Sequence, residues 1–474
     1  MTFEQLNIDP SICQALNILD YKEVLPVQET VIPEMLKGRD CIVKSKTGSG
    51  KTASFAIPIL QSIEINEKLP QALVLAPTRE LSFQIKEEID AIGIYKKVKT
   101  LSITGKQPFV FQKEDLAQRC HVVIGTPGRI LDHLQQGTLN ASMIQYVILD
   151  EADEMLNMNF IDEIRAIFKY LSKQRITCIF SATYPKAIQK LSSDFLNHAK
   201  VIEMQSQKNE IEEIFYECKE KDKTVFLLKI LCSFKPKSCI IFCGTQQRVE
   251  DVYAYLSSKH ISVNRLHGGM LQEERFSCMN AFKQGNTRLL VATDVAARGI
   301  DIEKVDLVIN YDMPSPVELY IHRIGRSGRI NEKGTAISLT NEYDGVRKEK
   351  LEAYLHREIE YSLSNSIWNM KITDADLFLL SKNERKNESK KDIVRKDVMK
   401  LYLNGGKNKK IRPGDIVGAI CEIEGVNADD IGVIQVQDHQ SYVDILNNKG
   451  KLVLNELQNK TIKGKKLRIQ KAKD

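Results

Sequence analysis

The chain has 474 residues, 42% hydrophobic and 27% charged, which excludes a wholly disordered protein and, at roughly 100–200 residues per domain, implies about three domains rather than one core. No apolar run reaches the roughly 18–20 residues of a membrane span, and Met1-Thr2-Phe3-Glu4-Gln5 lacks a basic and an apolar signal region, so a cytoplasmic protein is expected. The net charge of +6 arises entirely in residues 395–474, which hold 16 Lys and Arg against 10 Asp and Glu, so the end of the chain reads as a basic binding module.

In chain order, buried strands are predicted over Cys41–Val43, Ala72–Leu75, His121–Ile124, Tyr146–Leu149 and Thr177–Phe180. A second set follows over Cys239–Phe242, Arg288–Val291 and Leu307–Asn310. Short β-branched runs alternating with helical stretches predict an α/β protein with parallel sheets covered on both faces. The expected domains are 1–207 and 208–365, followed by a linker over 366–396 whose charged part begins at Ser381. In the remaining module, 397–474, strands are predicted over Met399–Asn404, Ile431–Asp438, Ser441–Leu446 and Lys466–Gln470, with helices over Ile416–Ile423 and Leu452–Leu457. That order, β-α-β-β-α-β, is ferredoxin-like α+β. The ten cysteines form no Cys-x-x-Cys pair, and reduced, mostly buried thiols are expected.

Two segments carry phosphate chemistry. Ser45-Lys46-Thr47-Gly48-Ser49-Gly50-Lys51-Thr52 follows a strand and opens a helix, where backbone N–H groups and the helix dipole favour anions. Lys51 would reach the terminal phosphates of a nucleotide and Thr52 would hold Mg²⁺. The bland alternative is a Gly/Ser turn. Asp150-Glu151-Ala152-Asp153 ends the strand Tyr146–Leu149, the place where an α/β sheet puts its ligand chemistry. Asp150 would bind Mg²⁺ and Glu151 would activate water. An acidic helix start is the competing explanation.

Asp-Glu-Ala-Asp after a phosphate loop resembles the DEAD-box RNA helicases, and further motifs occur in that family's order over residues 3–345. The resemblance implies two tandem RecA-like domains and an RNA-dependent ATPase using ATP and Mg²⁺. Phe3, Tyr21 and Gln28 resemble the adenine-reading segment, Thr47, Gly48, Ser49, Gly50, Lys51 and Thr52 the phosphate loop, and Asp301 the ribose contact. Pro77, Thr78, Arg79, Gly105, Thr126, Pro127 and Arg129 resemble the RNA-backbone residues of the first domain, and Gln272, Arg275, Thr293 and Asp294 those of the second. Lys106 stands where the family usually has a second glycine. Ser181 and Thr183 resemble the motif coupling hydrolysis to strand separation, with Asp153 and His322 as partners. Arg326 and Arg329 resemble arginine fingers, which implies catalysis by Lys51, Glu151 and both arginines once the domains close.

The final module resembles the RRM-type RNA-binding domain of the DbpA-like subfamily. Tyr402 and Tyr442 are its candidate base-stacking residues. A glycine-hinged basic loop, with Lys407, Lys409, Lys410 and Arg412, is the stronger signal, and the tail adds Lys463, Lys465, Lys466, Arg468, Lys471 and Lys473. The resemblance implies docking on a hairpin of 23S ribosomal RNA during large-subunit assembly. With no dimerisation segment evident in the sequence, a monomer is expected. The alternative is a general RNA remodeller in cold adaptation or RNA decay with a nonspecific tail. A noncatalytic scaffold is disfavoured by the intact Lys51, Thr52, Asp150 and Glu151.

Overall fold

The computed structural model describes residues 2–45, 50–204, 211–294, 305–328, 334–383, 393, 397–458 and 460–472. The chain divides into two compact units, Met1–Met204 with Lys390–Asp474, and Gln205–Ser389.

The first unit contains a seven-stranded parallel sheet. Its strands are β1 (Cys41–Lys44), β2 (Ala72–Leu75), β3 (Thr100–Ile103), β4 (Val122–Gly125), β5 (Tyr146–Leu149), β6 (Ile176–Ser181) and β7 (Lys200–Glu203), in the order β3-β4-β2-β5-β6-β1-β7. Alternate residues feed two separate cores. Val43, Val74, Ile124, Ile148 and Phe180 lie in one, and Leu73, Val123, Val147 and Ile179 in the other. Burial on both faces is why the inner strands read as unbroken apolar runs. The edge strands β3 and β7 went unpredicted because each carries several partly or fully exposed positions (Thr100, Leu101 and Ser102; Lys200, Val201 and Glu203).

The second unit holds β8 (Ile211–Glu217), β9 (Cys239–Phe242), β10 (Val263–Leu266), β11 (Leu289–Ala292), β12 (Leu307–Asn310) and β13 (Gly334–Thr340), all parallel, in the order β10-β11-β9-β12-β13-β8. The segment expected as linker begins instead with two helices, Asn365–Trp368 and Asp374–Ser381. Ile367 and Leu380 are buried in this unit's core, and Trp368 stacks on Phe226 with ring centroids 4.5 Å apart. Its apolar spacing outweighs its polar composition. Most of the charged stretch after 383 lies outside the described residues.

Residues 399–471 form a four-stranded antiparallel sheet of β14 (Met399–Leu403), β15 (Ile431–Val436), β16 (Ser441–Ile445) and β17 (Ile469–Lys471), ordered β15-β16-β14-β17. Helices Pro413–Cys421 and Gly450–Leu457 complete the predicted order. This module packs on the first parallel sheet's domain. Val398 and Leu446 join that domain's core, and the Tyr95 hydroxyl hydrogen-bonds to Asp397. Lys97 Nζ donates to Ala428 O at 3.0 Å and Lys99 Nζ to Ile434 O at 2.6 Å. Eight of the ten cysteines are buried. Among the described residues no helix is long and apolar enough to cross a membrane.

Candidate functional site

The order of the first sheet sorts the predicted residues into two groups along one edge. Ser45, Asp150 and Ser181 stand at the C-terminal ends of the neighbouring strands β1, β5 and β6, and Ser45 N donates to Ser181 O at 3.1 Å. Thr78 and Arg79 follow β2, Gly105 follows β3, and Thr126, Pro127 and Arg129 follow β4. The groups meet at β2 and β5, where Asp150 N donates to Leu75 O at 3.0 Å.

In the group expected to bind nucleotide, Gly50 has φ +82°, a left-handed conformation that suits glycine. A Cβ there would lie 2.6 Å from Leu25 Cδ1 and 2.8 Å from Gln28 Nε2. Gln28 is fully buried. Its Oε1 accepts from Leu25 N at 3.0 Å and its Nε2 donates to Gly50 O at 3.3 Å, so the expected adenine reader braces Gly50. Phe3 is buried and meets the half-buried Tyr21 edge-on at 6.4 Å, and the Tyr21 hydroxyl donates to Glu88 at 2.7 Å. Lys51 is buried at the start of helix Lys51–Ser62, with Nζ 3.5 Å from Ser45 O, and Thr52 follows it. Thr47, Gly48 and Ser49 lie outside the described residues.

Asp150 is buried and its Oδ1 accepts from Glu151 N at 3.0 Å. Glu151 has φ +52° and begins helix Ala152–Asn157. Asp153 Oδ2 accepts from Thr183 N and Thr183 Oγ1, while Ser181 Oγ donates to Thr183 O at 2.6 Å.

On the other side, Thr78 caps helix Arg79–Ile92, its Oγ1 accepting from Leu81 N at 3.2 Å. Arg79 Nη2 comes within 4.0 Å of the place a Gly105 side chain would occupy. Arg129 Nη1 donates to Gln107 O and to Gln112 Oε1, both at 3.2 Å. Gln112 and its neighbour His133 were not singled out from the sequence. Gln112 lies 17 positions from Arg129, and no local pattern announces their contact.

In the second unit, Thr293 N donates to Leu266 O at 3.1 Å, and Arg323 grips both oxygens of Asp294 at 2.6 and 2.7 Å. Arg323 also donates to Asn310 Oδ1 and Asp312 O, tying β11 and β12 together. Gln272 and Arg275 lie on helix Gln272–Lys283. His322 is half-buried on helix Glu318–Ile324, and Arg326 is buried just after it. Asp301 and Arg329 lie outside the described residues.

In the C-terminal module, Tyr402 and Tyr442 face one another across β14 and β16, edge-on at 5.7 Å. The two basic segments form one surface. Lys463 Nζ donates to Lys410 O at 2.8 Å and Lys465 Nζ to Lys409 O at 2.6 Å. Lys407, Lys409, Lys410, Arg412, Lys463, Lys465, Lys466 and Arg468 are exposed. Gly406 is required by close approach, since a Cβ would lie 2.0 Å from Gln437 O.

The DEAD/DEAH box helicase family matches residues 25–191, the helicase conserved C-terminal domain 222–331, and the DbpA RNA binding domain 400–471. The chain is 46% identical to the ATP-dependent RNA helicase DbpA of Bacillus subtilis (strain 168) over 99% of both chains. It is 35% identical to the protein of that name from Escherichia coli (strain K12), again over 99% of each. Among solved structures, S. cerevisiae Dbp5 bound to RNA and ADP BeF3 is similar with a TM-score of 0.70 and 29% identity, covering 80% of this chain and all of that one.

Proposed function

The chain belongs to the DEAD-box ATP-dependent RNA helicases of DbpA type, and on that premise we propose that its C-terminal module addresses the motor to a hairpin of 23S ribosomal RNA during large-subunit assembly. The joined basic surface carries this reading. Loop and tail lysines that are 53 and 56 positions apart in sequence converge, a density of charge suited to a folded phosphate backbone. The loop cations are exposed while Tyr402 and Tyr442 are half-buried, which favours the loop over the sheet face as the primary contact.

The residues at the nucleotide side fit ATP and Mg²⁺. The tight left-handed Gly50, the helix beginning at Lys51 and the buried Asp150 provide backbone donors, a cation and a carboxylate. When bound, the metal supplies charge neutralisation for the phosphates. Thr52 and Asp150 would hold it, Lys51 would hold the terminal phosphates, and Glu151 would orient the attacking water and take its proton. Thr78, Arg79, Gly105, Thr126 and Arg129 would hold RNA through its backbone, independently of sequence. The bacterial relatives and the RNA substrate support a cytoplasmic setting.

The test compares ATPase stimulation by 23S ribosomal RNA and by random RNA, in the native chain and in a full-length variant with K407Q, K409Q, K410Q and R412Q. Substitution is preferable to deletion because Val398 and Leu446 complete the first domain's core. A preference for ribosomal RNA that the variant loses is expected. Equal stimulation of the native protein by both RNAs would favour a general RNA remodeller.

A further inference from the structure

The RNA-side loops of the first sheet are joined through one buried carboxamide. Gln112 is 3% exposed, on helix Phe109–Leu116. Its Nε2 donates to Thr104 O at 2.9 Å and to Gln107 Oε1 at 3.2 Å. Its Oε1 accepts from Arg129 Nη1 at 3.2 Å and from His133 Nε2 at 3.1 Å. A primary amide has two donors and two acceptor positions, and all four are used.

The surroundings leave the amide one orientation. Arg129 can only donate, so the oxygen faces it and the nitrogen faces Thr104 O. His133 must then carry its proton on Nε2, with Nδ1 accepting from Thr138 Oγ1 at 2.8 Å. The His133 ring stacks on Phe109 at 4.0 Å with a 6° interplanar angle, and the Arg129 guanidinium lies 5.8 Å from that same Phe109 ring. Arg129 donates in addition to Gln107 O. The loop carrying Gly105 and the arginine after β4 are therefore held by a shared set of bonds.

We propose that Gln112 is a positioning residue for RNA binding, which holds Arg129 and the Gly105–Gln107 loop as one preformed surface. The proposal deepens the function above and rests on Arg129 facing RNA. A long cation that is already oriented loses less freedom when it meets a phosphate. Nothing in this arrangement touches the nucleotide side of the sheet, so its effect falls on RNA affinity and not on turnover.

The experiment measures RNA-stimulated ATPase in the full chain for R129A, Q112M, Q112E and the Q112M/R129A double variant. Q112M should raise the RNA KM about tenfold, with kcat at saturating RNA within about twofold. The double variant should be no worse than R129A. Q112E keeps an acceptor for Arg129 and His133 but loses both donors to the loop, so its KM should rise above native and stay at or below that of Q112M. A normal KM in Q112M beside a raised KM in R129A overturns the proposal, as do additive losses in the double variant. An unchanged KM in R129A removes the RNA-side reading itself, and the proposal with it. Should Q112M not fold, Q112E decides: it loses both bonds from Nε2 to the loop, so a native KM in Q112E beside a raised KM in R129A overturns the positioning role.

Discussion

Thr183 directs both its backbone N–H and its hydroxyl at one oxygen of Asp153, at 2.9 and 3.0 Å. The contact joins the loop after β6 to the acidic segment after β5, so a change at one strand end is felt at the other. T183V removes one of the two bonds and keeps the N–H. A hydrogen bond to a charged group contributes about 1.5–3 kcal/mol. Duplex unwinding should fall at least about fivefold while RNA-stimulated ATPase changes less than about twofold. Parallel assays of strand separation and phosphate release check this, and equal losses in both would show that the contact does not couple them.

Glu151 occupies a left-handed conformation with φ +52° directly after the buried Asp150. E151Q preserves shape and would remove the proposed base. ATP and RNA binding should persist, and turnover should fall by about 10²–10⁴, the usual value of a positioned general base. Equilibrium binding with single-turnover hydrolysis separates the two effects. ATPase at the native level would exclude Glu151 from the chemistry.

Lys106 is exposed and has φ +59°. Left-handed backbone costs a side-chain-bearing residue about 1–2 kcal/mol, partly offset in a glycine by its freer unfolded state. K106G should therefore stabilise the domain by about 0.5–1 kcal/mol, a rise in Tm of about 1–4 °C. The same change removes a cation beside Gly105, and the salt dependence of RNA binding should weaken by about 0.7 in log–log slope for single strands. Calorimetry and a salt titration read the two effects separately.

Burial holds His121 and His133 neutral, each lowered to about 4, with Arg129 adding to the effect at His133. His121 Nδ1 accepts from Lys99 N at 2.9 Å, a bond that protonation would remove. Below the ordinary histidine range of about 6.5 the unfolded chain takes up protons that the folded chain refuses. Stability should accordingly be full above about pH 6.5 and decline as pH falls towards 4. Denaturant titrations across that interval test it, and the H121N/H133N variant should show a shallower decline.

Most inner strands were legible because burial on both faces leaves an apolar run that no solvated segment would carry, as in Tyr146–Leu149; the inner strand β13 was missed because Gly334, Thr335, Ser338 and Thr340 break up its apolar run although it is almost wholly buried. Edge strands such as β10 were not, since Val263, Asn264 and Arg265 are only partly buried and lack that signature. At the site, short contiguous motifs such as Asp150–Asp153 could be read directly. Gln112 could not, because its role comes from partners brought together by the folding of separate loops. The basic loop and the tail each stood out by charge, yet only folding shows them as one surface.

β3 begins beside the C-terminal module, where Lys97 and Lys99 are held, and ends next to Gly105. Four strand residues span only about 13 Å. That short strand is a strut, hydrogen-bonded along β4 and stiff against stretching. A displacement of the module at Ala428 or Ile434 is expected to be felt along this strand at the Gly105 loop. The module is thus a handle on the first domain and not a weight on a leash.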